Sequence, residues 1–134
     1  MIKLVIIEDQ KHSRDILENM LQLHFKNVEI LAVCKNAEEG KAALENMQPD
    51  LVLTDIKLGK IEVFDMLQQV NSINFEIIFI TAYEQYAIQA IKFSALDYLL
   101  KPFTLDDLSL AIDRYEKKKD KQQSTEQLST LFTT

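Results

Sequence analysis

Four short apolar runs in this 134-residue chain each end in a group that could do chemistry. Glu8 and Asp9 follow the first, Asp55 follows LVLT, Thr81 follows FEIIFI, and Lys101 follows LDYLL and precedes Pro102. Brought together, these are carboxylates, a hydroxyl and an ammonium. Carboxylates that close repel one another unless a cation intervenes. Mg²⁺ answers that need with oxygen ligands and retained waters. A metal, a carboxylate and an ammonium form a site suited to receive a phosphoryl group, because that transfer depends on alignment and charge stabilisation. Carboxylates are competent nucleophiles and give aspartyl-phosphates. Asp55, the central carboxylate, is assigned as nucleophile, with Thr81 as hydrogen-bond donor to the phosphoryl oxygens.

Each group also has a plainer reading. An acidic pair after a strand is usually a solvated loop, and a lone Asp there is usually a turn former. Lys-Pro before a helix reads as a surface lysine and a helix-opening proline. Thr81 could cap the next helix. The joint pattern is more specific than its parts, since four separate runs deliver complementary groups.

The elements that position these groups alternate. β-type runs are expected at Lys3 to Ile7, Val28 to Cys34, Leu51 to Thr54, Phe75 to Ile80 and Leu96 to Leu100. Between them, Leu17, Met20, Leu21 and Phe25 recur at helical spacing. An alanine-rich helix runs from Ala37 to Met47 with Asn36 as N-cap. Val63, Phe64, Leu67 and Val70 mark a third helix, and EQYAIQAIKFSA a fourth. The fifth opens at Thr104, where T-L-D-D places Asp107 for a capping box, and turns Leu105, Leu108, Ile112 and Tyr115 inward. Continuous rather than alternating apolar strands imply a parallel sheet covered on both faces. The expected fold is α/β, flavodoxin-like and doubly wound, with five parallel strands in order 2-1-3-4-5. In such sheets ligands bind beyond the carboxyl ends of the strands, where all the candidate groups fall.

Composition narrows the function further. A formal net charge of −6 disfavours direct nucleic acid binding and an anionic membrane surface. Cys34, the single cysteine, excludes an internal disulfide and reads as a buried small hydrophobe. The apolar start is too short for a signal peptide, and a cytoplasmic location is expected. Residues 1–120 read as one domain. Residues 121–134 read as a helix extension or linker tail, with a mobile terminus the plainer expectation.

The segments IIED, LVLTDIKL, FITAYE and LDYLLKPF resemble receiver domains of two-component response regulators, over roughly residues 2 to 118. ITAYEQYAIQAIKFSALDYLLKPF resembles receivers that precede a LytTR-type DNA-binding domain. The resemblance implies a phosphoacceptor, Asp55, supplied by a sensor histidine kinase. It implies Mg²⁺ held by Asp9, Asp55 and the Lys57 carbonyl, with Glu8 assisting. It implies Lys101 paired with the phosphoryl group and Thr81 moving toward it. Tyr98 would change rotamer in response, and the Lys101–Pro102 bond would be cis. No enzyme activity is expected beyond self-phosphorylation and self-dephosphorylation. A homodimer through the fourth helix, fifth strand and fifth helix is expected on phosphorylation, with Tyr86 and Phe93 as contacts.

Two features depart from the family pattern. Gly59 stands where proline is usual and Val63 where glycine is usual. Rival readings are a degenerate receiver that only docks proteins, an aspartate-nucleophile phosphatase and a flavin binder. The phosphatase needs a second Asp where Lys57 stands, and EDQKHS would repel a flavin phosphate. His12 and His24 read as surface histidines. Lys57 and Tyr83, two residues beyond Asp55 and Thr81, are expected to flank the path of attacking water.

Overall fold

Apart from Lys3 in β1 and Glu29 in β2, strand interiors here are apolar because helices cover the sheet on both sides. The computed structural model describes residues 1–133. In chain order the elements are β1 (Ile2–Ile7), α1 (Lys11–His24), β2 (Val28–Cys34), α2 (Ala37–Met47) and β3 (Leu51–Thr54). A small hairpin follows, β4 (Lys57–Leu58) and β5 (Ile61–Glu62), then α3 (Val63–Gln69) and β6 (Glu76–Thr81). The last elements are α4 (Ala87–Lys92), β7 (Asp97–Leu100) and α5 (Leu105–Thr133). The main sheet is parallel, in order β2-β1-β3-β6-β7. This is the expected flavodoxin-like order, with the hairpin advancing the numbering of the last two strands.

Side chains alternate between sheet faces with period two, and the core divides accordingly. Val5, Ile7, Val52, Ile77 and Phe79 pack with residues of α2, α3 and α4. Leu4, Ile6, Leu51, Leu53, Ile78 and Ile80 pack with Leu17 and Leu21 of α1 and Leu108 and Ile112 of α5. Local chemistry fixes the helix starts. Asn36 Oδ1 accepts from the Glu39 N–H at 2.8 Å. Thr104 and Asp107 form the reciprocal box: the Asp107 N–H donates to Thr104 Oγ1 at 3.1 Å and the Thr104 N–H to Asp107 Oδ2 at 2.9 Å.

Gly40 lets α2 approach β1. A Cβ there would lie 2.8 Å from Ile7 Cδ1 and 3.2 Å from Cγ2, and Ile7 is fully buried. Gly40→Ala is therefore expected to destabilise the fold by about 1–3 kcal/mol through overpacking, despite alanine's better helix propensity. A urea midpoint equal to wild type would contradict this. Cys34 is buried as expected, and desolvation pushes its thiol up to about 11.

Two expectations need correction. The fourth helix is only Ala87–Lys92, ending where Ser94 takes a left-handed φ of 58°. The mobile terminus gives way to helix: α5 continues through Thr133. Residues 116–131 contain neither Gly nor Pro and are rich in Lys, Gln and Glu, which favour helix. Tyr86 and Phe93, the contacts expected from the sequence, are half-buried, and both pack on Phe64, with ring centroids 6.3 and 5.0 Å from it. The exposed apolar residues of this edge are Ile88 and Ile91 on α4, Leu100 on β7 and Leu110 on α5.

Candidate functional site

Extending each strand's alternation past its end predicts which groups meet. Glu8 continues the face of Leu4 and Ile6, Asp55 that of Leu51 and Leu53, and Lys101 that of Leu99, all toward α1 and α5. These three are bonded. Lys101 Nζ donates to Asp55 Oδ2 at 2.8 Å and also to Glu8 Oε1. Ser13 Oγ on α1 lies 3.4 Å from the same ammonium. Asp9 completes the acidic group: one carboxylate oxygen from each of Glu8, Asp9 and Asp55 falls within 4.8 Å of the others. Glu8 and Asp55 are buried and Asp9 half-buried.

Backbone groups hold the carboxylates. Asp55 Oδ1 accepts from the Ile56 N–H at 2.6 Å. Glu8 Oε2 accepts from the Gln10 N–H at 3.2 Å, and Asp9 Oδ2 from the Gly59 N–H at 2.9 Å. Arg14 Nη1 donates to the carbonyls of both Glu8 and Asp9, at 3.0 Å each. Neither Arg14 nor Ser13 was foreseen. Their one signal was position, on the first turns of a helix that begins beside the acidic pair.

Burial pushes the Glu8 carboxyl above its ordinary range; the Lys101 hydrogen bond opposes the shift and the Asp55 charge adds to it. Burial works against the Lys101 ammonium. Its hydrogen bonds to Asp55 and then Glu8 outweigh that cost and raise its pKa. One ammonium thus compensates one of three clustered carboxylates. Hard oxygen donors at this spacing, with charge to spare, fit a divalent cation such as Mg²⁺.

The remaining predicted residues lie around this centre. Thr81 ends β6 fully buried; its carbonyl accepts from the Lys101 N–H at 2.8 Å and its hydroxyl from the Tyr83 N–H at 3.4 Å. The Lys101–Pro102 peptide bond is cis. Tyr98 on β7 packs 6.4 Å from Phe79, and its hydroxyl donates to the Tyr83 carbonyl. Burial raises the Tyr98 pKa. Lys57 is exposed on β4, its ammonium 5.6 Å from the centre of the Tyr83 ring. His12 and His24 are exposed.

The sequence profile of the response regulator receiver domain family matches residues 4–113. The chain belongs to this family. A sensory transduction protein LytT from Bacillus cereus is 34% identical over 127 residues, covering 93% of this chain and 51% of the relative. A transcriptional regulatory protein BtsR from Escherichia coli K12 is 34% identical over 123 residues, with 91% and 51% covered. The receiver chain thus spans about half the length of these relatives. A solved response regulator receiver domain protein from Clostridium thermocellum is 29% identical, with a TM-score of 0.75, covering 90% of this receiver and 98% of that chain. Among the described residues no helix is long and apolar enough to cross a membrane.

Proposed function

We propose that this receiver is a phosphorylation switch in which Asp55 accepts a phosphoryl group with Mg²⁺ and the change is read out at the α4–β7–α5 edge. The observation that carries the reading is Lys101 bonded to Asp55 and Glu8 beside the Asp9 carboxylate. Glu8, Asp9, Asp55 and the Lys57 carbonyl would hold the metal. When bound, Mg²⁺ would supply positive charge that stabilises the phosphoryl group during transfer.

A sensor histidine kinase is the proposed donor. A cleft of about 360 Å³ lined by His12, Ser13, Ile16, Lys101, Pro102 and Phe103 adjoins the site, where a kinase helix could dock. An Asp55 carboxylate oxygen attacks phosphorus in line with the phosphohistidine P–N bond. That bond breaks and its electron pair leaves on the imidazole nitrogen. Lys101 then shifts from carboxylate partner to phosphoryl partner. Thr81 donates a hydrogen bond from its hydroxyl to a phosphoryl oxygen, and Tyr98 releases the Tyr83 carbonyl and turns inward. This is a population shift between two packings, biased by the new dianionic charge. The full regulator is proposed to act on transcription through a LytTR-type domain carried beyond α5, from the cytoplasm. The names and lengths of the relatives support this.

Acetyl phosphate with Mg²⁺ tests the reading: a phosphoryl mass gain mapped to Asp55, absent in Asp55→Asn. Failure of the wild type to label would leave a protein-docking role in its place.

Phosphate lifetime gives a second expectation. The Lys57–Tyr83 pair, a cation–π contact at an exposed position, lies beside the proposed water path. Lys57→Ala and Tyr83→Ala should each speed dephosphorylation, because each opens the path of the attacking water. Unchanged decay of the radiolabelled phosphoprotein in both variants would refute the shielding.

A further inference from the structure

We propose that Gly59 is a positioning residue for metal binding, acting through its backbone N–H on Asp9. The inference rests on the Mg²⁺ reading above. Asp9 differs from the other two acids in its support. Glu8 is held by Lys101 and the Gln10 N–H, and Asp55 by Lys101 and the Ile56 N–H. The Asp9 carboxylate instead accepts from the N–H of Gly59, fifty residues away, at 2.9 Å from N to Oδ2. Arg14 fixes the Asp9 carbonyl, which leaves the carboxylate's orientation to Gly59.

The local fold explains why this N–H is available. Lys57 pairs with Glu62 and Leu58 with Ile61, so Gly59 and Lys60 form the two-residue tip of a hairpin. Gly59 has φ +66°, a left-handed conformation that most side chains resist and glycine adopts freely. Two-residue hairpin tips commonly demand such a residue. The Val63 N–H, bonded to the Ile56 carbonyl at 2.7 Å, closes the hairpin's base against the end of the phosphoacceptor segment. A proline at position 59 would have neither the donor nor the angle. The glycine therefore links the loop after Asp55 to the acid after β1. One Asp9 oxygen is tethered, and the other is free to face a cation. Groups that orient metal ligands in this way typically account for 10- to 100-fold in metal affinity.

The space at this tip makes a clean test possible, since a Cβ at Gly59 would meet nothing within 4 Å. Gly59→Asn keeps the N–H and tolerates the left-handed angle. Gly59→Pro removes the N–H, and a backbone ester at position 59 removes it without altering the allowed φ. Mg²⁺ alone is titrated into each protein by calorimetry, with no phosphodonor. The expected result is about tenfold weaker binding for Gly59→Pro and for the ester, and less than threefold for Gly59→Asn. Wild-type affinity in the ester would overturn the proposal, as would an asparagine variant as weak as the ester. If Gly59→Pro fails to fold, the ester and asparagine forms still decide between these outcomes. Absence of Mg²⁺ binding by the wild type would instead bring down the metal reading itself, and this inference with it.

Discussion

Lys101→Met should destabilise the metal-free protein by about 1–3 kcal/mol, the usual cost of leaving buried polar partners unsatisfied, and magnesium should return most of that stability. The side chains of Glu8 and Asp55 are 5% and 9% exposed, and the same ammonium bridges them. Methionine keeps the apolar stem and removes the charge, so two carboxylates face each other without their shared donor. Its removal deletes the contribution that opposes the upward shift of Glu8, which burial and Asp55 already favour. A carboxyl raised above its unfolded value of 4.5 stabilises the fold below that pH. That contribution is lost as pH rises through the folded value. The variant should therefore lose more stability relative to wild type at pH 8 than at pH 5. A cation bound to the native state contributes about 2.7 kcal/mol at one hundred times its dissociation constant. Urea midpoints with and without Mg²⁺, at both pH values, check all three arms. Wild-type stability in metal-free Lys101→Met would mean that the bridge does not restrain the acids. In the same variant, acetyl phosphate labelling should persist at a lower rate, because Asp55 itself is intact.

That these groups meet was legible in the sequence for a physical reason. A strand covered on both faces must be apolar throughout, so the first polar residue after it marks the strand's end within one position. Four such ends define a sheet edge, and Glu8, Asp55, Thr81 and Lys101 stood on it. β2, α2 and β3 were bounded correctly because Asn36, Pro49 and Asp50 interrupt the periodicity sharply. The hairpin at 57–62 was hidden because two-residue strands are too short to display alternation. Gly59 signalled a departure there without telling which carboxylate its N–H would reach. Arg14 was hidden for a related reason: it acts on backbone carbonyls, and no residue pattern records a carbonyl's direction. The helical tail shows the opposite case. Its polar composition suggested mobility, yet a run free of Gly and Pro keeps its intrinsic helix preference without a packed face.

That same distinction between apolar and exposed bears on the expected dimer. Sequence alone nominated Tyr86 and Phe93, large aromatics near the switch, and both are half-buried against Phe64. Ile88 and Ile91, at 72% and 73% exposed, lie three residues apart on one side of α4, with Leu100 and Leu110 exposed on the next two elements. These are the residues whose burial remains unclaimed in the single chain. Fully burying an isoleucine is worth ~1.5–3 kcal/mol. In a two-fold symmetric dimer one substitution removes the contact twice. Ile91→Lys should therefore weaken the dimer of phosphorylated protein by about 100-fold or more, since every ~1.4 kcal/mol is tenfold. Phosphorylation of Asp55 should be unaffected, because Ile91 is exposed on α4 and is not one of the groups that hold Asp55 or its neighbours in the site. Phe93→Leu should act differently, lowering the urea midpoint through the lost ring contact while leaving the dimer largely intact. Sedimentation of wild type, Ile91→Lys and Phe93→Leu, each with acetyl phosphate and Mg²⁺, separates the two. If Ile91→Lys sediments as a dimer equal to wild type, the α4–β7–α5 edge is not the surface through which this receiver pairs.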